Sequence, residues 1–142
     1  RETMERMVVA QSTAAITPEQ VRSLHTLINL QNVYIDSHDY TNFSVVDDQF
    51  HESFYKFTDN LFIWNWLQEA NLQFNRLRFL RLEMQTPDWP LLTEEHQNIV
   101  NCIEANDIAG AQAAVSHHLN SVKDDVKIAQ RAYPDYFFSA ED

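Results

Sequence analysis

Apolar residues recur at helical spacing along almost the whole chain. They fall three and four positions apart, which is the period of one helix face, while one glycine and four prolines leave little turn chemistry. The pattern predicts an all-α fold, an antiparallel bundle of about six helices.

Local signals for helix ends place the first two boundaries. The segment from Arg1 to about Ser12 contains helix-forming residues and has no cap before it, so we expect a first helix that is truncated at its start. Thr17-Pro18-Glu19-Gln20 combines an N-cap, a proline at the first helical position and a capping-box glutamine. This motif predicts a second helix that runs to about Asp36.

Four further helices are predicted from the remaining pattern. The prolines at 87 and 90 are expected to enclose a loop, and Pro134 is expected to stop the last helix. The predicted ranges are from the turn at 37–39 to near Thr58, from Asp59 or Asn60 to about Gln85, from a Thr93 cap to about Ala105, and from an Asp107 cap to about Ala132.

Composition limits the class of protein. A chain of 142 residues with 44% hydrophobic and 12% aromatic residues is expected to fold as one domain, residues 1–142. Its apolar runs are short and it opens with no charged segment before an apolar one, so neither a membrane span nor a signal peptide is predicted. Cys102 is the only cysteine, and its apolar helical context favours a small buried thiol over a nucleophile. A reducing cytoplasm is the expected location.

The net charge of −11 argues against direct binding of nucleic acid by this chain. Nucleic-acid affinity comes mostly from lysines and arginines that replace counterions on phosphates. Small anions remain candidate ligands if the few arginines are concentrated in one pocket.

Four side chains on three predicted helices form a candidate metal site: Asp47, His51, His96 and His118. Asp47 and His51 stand four residues apart, on one face of a helix. His96 and His118 each share a helix face with apolar residues, so both imidazoles are expected to point at the core. Neutral imidazoles and a carboxylate suit a divalent metal; zinc is favoured, with nickel, manganese and iron as alternatives.

The alternative to a metal site is that each histidine has only a structural role and forms one hydrogen bond in the core. Four inward polar groups in an apolar bundle would all need partners, and one metal would satisfy them together. The adjacent His117 lies about 100° around the helix from His118 and is expected to be solvated. His25 and His38 have no partner pattern and are left out of the site.

Arg78 and Arg81 are predicted on the inner face of the long fourth helix. Inward guanidinium groups need anions, which an internal ion pair would provide. The functional alternative is a fork for a carboxylate or phosphate ligand whose other end reaches the metal. Asn71, one heptad before Arg78, is expected to add a hydrogen bond.

Several short motifs of this chain occur in the order found in one known family. They are Asp47-Asp48-Gln49-Phe50-His51, Asp59-Asn60, Glu95-His96-x-x-Ile99, Asp107-x-x-x-Ala111 and His118-Leu119, with Arg1-Glu2-x-Met4-Glu5 near the start. The chain thereby resembles the C-terminal effector-binding domain, the FCD domain, of FadR-subfamily GntR transcription regulators.

The resemblance implies a bacterial regulator. It implies that the matching aspartate and histidines hold a divalent metal, that arginines of the long helix help to bind a small organic acid, and that the domain forms a homodimer. Such regulators carry an N-terminal winged helix-turn-helix, and nothing in this sequence resembles one. DNA binding is therefore expected only through a domain absent from this chain.

Two alternatives to an effector sensor stay open. A helical metalloenzyme could use the same site to activate water, although no free, inward general base is predicted near the ligands. A purely structural bundle would need its histidines satisfied without metal.

Overall fold

Six helices are formed by the residues that the computed structural model describes, which are 1–70, 88–132 and 134, with the backbone alone for 122–130 and 132. No strand occurs in these ranges, and the predicted all-α bundle is confirmed. The helices are α1 (Glu2–Ala15), α2 (Pro18–Asp36), α3 (Tyr40–Phe57), α4 (Leu61–Ala70), α5 (Trp89–Glu104) and α6 (Ile108–Ala132).

The predicted capping box opens α2. The Thr17 hydroxyl accepts the Gln20 N–H at 3.2 Å, and the Gln20 side-chain oxygen accepts the Thr17 N–H at 2.9 Å. Asp107 opens α6 in a similar way, because its carboxylate accepts the Gly110 N–H at 2.9 Å. Both predicted helix starts are confirmed. They could be predicted because each cap is formed by residues close together in the sequence.

The predicted start of the fifth helix was wrong. The cap is Asp88, whose carboxylate accepts the Leu91 N–H at 3.1 Å, and α5 begins at Trp89 with Pro90 in its first turn. Proline is tolerated there because first-turn N–H groups have no helical acceptor. Thr93 lies inside the helix, where its hydroxyl donates to the Pro90 carbonyl at 2.9 Å.

Two further predictions concern the C-terminal ends of the first and fourth helices. The first helix extends to Ala15, one turn beyond the predicted Ser12. The predicted continuation of the fourth helix from Ala70 to Gln85 lies outside the described residues.

Three loop residues adopt a left-handed backbone conformation. His38, Asp59 and Asn106 have φ values of 57°, 57° and 55°, and each follows the end of a helix. Short polar side chains such as aspartate and asparagine tolerate this region better than most residues do. These turns connect α2 to α3, α3 to α4, and α5 to α6.

Helices α1 and α2 connect α3 with the packed pair α5 and α6. α1 packs against α6 and α3, α2 packs against α3 and α5, and α5 packs against α6. Phe50, Phe54, Ile99, Val100 and Val115 are among the fully buried residues that form this core. Among the described helices, none combines the length and apolar character needed to cross a bilayer.

Candidate metal centre

The four predicted ligands lie together between three helices. α3 carries Asp47 and His51, α5 carries His96, and α6 carries His118; one ligand atom from each lies within 4.8 Å of the others. The His96 and His118 Nε2 atoms are 3.2 Å apart, and the His118 and His51 Nε2 atoms are 3.3 Å apart. Three ring nitrogens therefore converge on one point.

Asp47 completes the cluster on its more open side. Its Oδ1 lies 3.4 Å from His96 Nε2 and 3.9 Å from His51 Nε2. The Asp47 side chain is 14% exposed, whereas the histidine residues are at most 3% exposed. Asp47 is thus the most exposed of the four predicted ligands.

The far side of each imidazole is occupied by an oxygen acceptor from another helix. His96 Nδ1 lies 2.9 Å from the Gln31 side-chain oxygen, and His118 Nδ1 lies 2.8 Å from Glu95 Oε2. Oε1 of Glu5 contacts His51 Nδ1. These oxygens can only accept, so each Nδ1 carries the hydrogen and donates it.

This arrangement fixes the tautomer of all three rings. A neutral imidazole with its hydrogen on Nδ1 presents a bare lone pair at Nε2. Three lone pairs then face one another inside the protein, which is unfavourable unless a cation lies between them. Donation of the outer ring N–H to a carboxylate or amide oxygen is the usual support of a metal-bound histidine.

The spacing of the nitrogens also fits a metal. Two nitrogens each about 2.05 Å from one zinc ion lie roughly 2.9–3.4 Å apart for angles between octahedral and tetrahedral. The observed separations of 3.2 and 3.3 Å fall in that range. The donor set therefore fits a divalent transition metal in both chemistry and dimension.

Phe50 orients two of the rings. It stacks on His96 with ring centroids 4.4 Å apart, and it meets His51 edge-on at 5.6 Å. Because Phe50 is fully buried, its position limits the tilt of both imidazoles.

Burial shapes the protonation of the cluster. Burial, and after it the neighbouring His118, holds the pKa of His96 well below its ordinary value. Burial also lowers the pKa of His118, and the hydrogen bond to Glu95 offsets that effect only in part. Both rings are therefore neutral near pH 7, which is the form that binds a metal.

Glu5 is a buried carboxylate with two partners. Burial alone would raise its pKa, but His51 and Arg1 outweigh burial and hold that pKa below the ordinary value. Arg1 Nε donates to Glu5 Oε2 at 2.9 Å while His51 occupies Oε1. The charge on Glu5 is thus compensated within the fold.

The other candidate residues are placed less centrally. His117 points outward with 78% of its side chain exposed, as expected, and the half-buried Cys102 has its pKa raised by burial. His25 pairs with Glu104 away from the cluster. The predicted ligand-binding residues Asn71, Arg78 and Arg81 lie outside the described residues.

Glu5, Gln31 and Glu95 were given no role from the sequence. The first two carried a signal, because each is a polar residue on an apolar helix stripe. Glu5 is in line with Val8 and Val9, and Gln31 is in line with Ile28.

A family model for the FCD domain matches residues 1–121. The chain belongs to the FCD domain family. The match includes all four residues of the cluster and all three acceptors behind the rings.

Curated relatives of this FCD domain are transcription regulators by name. The HTH-type transcriptional repressor RspR of Escherichia coli strain K12 is 21% identical over 137 residues, which cover 96% of this chain and 60% of the relative. The uncharacterized HTH-type transcriptional regulator YdfH of Shigella flexneri matches with the same identity and coverage. The chain thus spans 60% of the length of these relatives. Family and relatives support a regulatory, effector-binding domain and point away from an enzyme.

Proposed function

We propose that this chain is the effector-sensing, metal-binding domain of a cytoplasmic bacterial regulator of the GntR family, FadR subfamily. The observation that carries the proposal is the convergence of three Nε2 lone pairs and the Asp47 carboxylate, with every Nδ1 facing an acceptor. Asp47, His51, His96 and His118 would hold the metal. Zinc fits this donor set best, and nickel, manganese and iron are the alternatives.

The charges around the cluster support a divalent ion. Asp47, Glu5 and Glu95 contribute three negative charges, and Arg1 contributes one positive charge through its contact with Glu5. Acidic side chains on three helices thus surround the ring nitrogens, and a cation bound there would offset part of the cost of burying them.

The proposed effector is a small carboxylate. A bound divalent metal supplies a positive anchor for one oxygen of such an anion. Arg78 and Arg81 are proposed to bind its other end, as the resemblance implies for arginines of the long helix, and Asn71 is proposed to add a hydrogen bond. Binding would then shift the placement of the DNA-binding domains that the proposed full-length regulator carries.

A homodimer is proposed from the surface of α4. Phe62 is 70% exposed and Trp66 is 59% exposed, and these two residues stand one turn apart on the same helix face. Adjacent exposed aromatic side chains are typical of protein interfaces and rare elsewhere on soluble domains.

The carboxylates near the cluster favour a sensor over the metalloenzyme alternative. Glu5 and Glu95 are engaged with ligand histidines, and Glu52 pairs with Lys56 at 2.6 Å. A metal-bound water would need a general base in reach of it. These three side chains are committed to other partners.

Native mass spectrometry, followed by calorimetry with di- and hydroxy-carboxylates, tests the proposal. We expect about one divalent metal per protomer, a dimer, and binding of a small carboxylate that is recovered unchanged. Asp47→Ala should weaken both metal and effector, whereas Arg78→Ala should weaken the effector alone. A metal-free parent protein would overturn the proposal, and consumption of the ligand would establish the enzyme alternative.

A further inference from the structure

Among the three residues behind the imidazoles, Glu5 is the one that pairs with an arginine. Its side chain is fully buried, and each of its oxygens has a different cationic or N–H partner: Oε1 faces His51 Nδ1, and Oε2 accepts from Arg1 Nε at 2.9 Å. Gln31 is neutral, and Glu95 contacts the exposed His117 at 3.5 Å in addition to His118.

We infer that Glu5 is a positioning residue of the metal centre and that the Arg1–Glu5–His51 chain of contacts couples α1 to metal binding. This inference rests on the proposed metal binding. Glu5 holds His51 in the tautomer that presents Nε2 to the cluster, and Arg1 holds Glu5 in the orientation that makes this possible.

Arg1 is itself fixed in place. It lies four residues before Glu5, and its guanidinium sits 5.8 Å from the centre of the Trp64 ring on α4. Its side chain is 14% exposed. An arginine with both an aromatic neighbour and a carboxylate partner has little freedom to release that carboxylate.

The geometry makes Glu5→Gln an informative substitution. A glutamine has one accepting oxygen and one donating NH₂ group, whereas the site needs an acceptor on both sides. If the amide oxygen faces His51, the NH₂ group confronts the Arg1 N–H. If the NH₂ group faces His51, Nδ1 must give up its hydrogen, and Nε2 then carries one that blocks the metal.

Removal of Arg1 should therefore rescue part of this defect. In the double variant Arg1→Ala/Glu5→Gln, the amide oxygen can face His51, and water can reach the NH₂ group from the partly exposed site of Arg1. If Glu5 acted only by filling space, Arg1→Ala would remove further contacts and the double variant would bind zinc no more tightly than Glu5→Gln alone. Rescue is thus specific to the proposed chain of contacts.

The experiment measures zinc affinity by competition with a chromogenic chelator. The proteins are the parent, Glu5→Gln, Arg1→Ala, the double variant, and Glu2→Gln, which removes the same charge from the same helix turn. We expect Glu5→Gln to weaken zinc roughly 10- to 100-fold, as measured for other supports of metal-bound histidines. Arg1→Ala should weaken zinc less, the double variant should bind more tightly than Glu5→Gln alone, and Glu2→Gln should match the parent.

Two further readouts separate positioning from general stability. The visible spectrum of the cobalt-loaded protein should change in Glu5→Gln and stay the same in Glu2→Gln, because it reports the arrangement of the ligands. Hydrogen exchange of the α1 amides should slow on zinc addition in the parent and slow less in Glu5→Gln. If Glu5→Gln does not fold, Arg1→Ala decides by the same spectrum.

Parent affinity and parent cobalt spectra in both Glu5→Gln and Arg1→Ala would overturn this inference and leave the proposed metal site intact. Strictly additive losses in the double variant would also overturn it. A parent protein that takes up no metal would instead overturn the proposed function.

Discussion

Substitution of His96 by alanine should remove most of the stabilisation that zinc provides. Free zinc at about 100 times its dissociation constant adds about 2.7 kcal/mol to the free energy of unfolding. A domain of this size gains about 3–4 °C in melting temperature per kcal/mol, so the parent should rise by roughly 10 °C. His96 supplies one of three converging nitrogens, and a 100-fold loss of affinity would leave about 0.4 kcal/mol at the same zinc concentration.

The assay compares melting temperatures with zinc and with a chelator. Only the zinc-dependent shift is compared, because His96→Ala also leaves a cavity against Phe50, whose ring lies 4.4 Å from the imidazole. His117→Ala is the matched control, since that side chain is 78% exposed and points away from the cluster. A zinc-dependent shift in His96→Ala as large as in the parent would refute the reasoning.

Three other outcomes are expected. Burial lowers the pKa of His96 and His118, so zinc affinity should weaken as the pH falls, with a midpoint below the ordinary histidine value of about 6.5. A titration of zinc binding against pH checks this prediction. A midpoint above that value would contradict it. The isolated chain, with a net charge of −11, should give no gel shift with DNA at physiological salt. A specific, salt-resistant shift would contradict the expectation that DNA binding belongs to another domain. Phe62→Glu should shift sedimentation toward the monomer because it places a charge in the proposed interface, whereas Glu19→Gln in the exposed first turn of α2 should not. An unchanged dimer in Phe62→Glu would exclude this face.

The helix boundaries that could be predicted depend on short-range chemistry. The capping box of Thr17 and Gln20 spans three residues, so its geometry is encoded locally. The sequence misplaces the start of α5 because Pro90, which predicts a loop, lies in the first turn of the helix. Proline is unfavourable inside a helix but is tolerated in its first turn. Aspartate and threonine are both good N-cap residues, so the sequence alone does not choose between Asp88 and Thr93.

The contrast between local and long-range contacts also separates the four predicted ligands from the oxygen acceptors behind their rings. Asp47 and His51 are four residues apart on one helix, and the inward faces of His96 and His118 follow from helical periodicity. Pairing across the bundle does not follow from periodicity. The contact between Gln31 and His96 joins residues 65 positions apart, so only the tertiary packing of α2 on α5 brings the two together.

Long separation along the chain has a consequence for the order of events in folding. The His118 and His51 rings meet across 67 positions, and Glu5 reaches His51 from α1, two helices earlier in the chain. Contacts of this kind close large loops, which is entropically costly and therefore late. The complete site would form after most of the bundle has assembled, and a metal bound there would slow unfolding far more than it speeds folding. A bound metal would therefore act mainly by slowing the unfolding of the assembled bundle. The lifetime of the folded domain would then depend on how much metal the cell supplies.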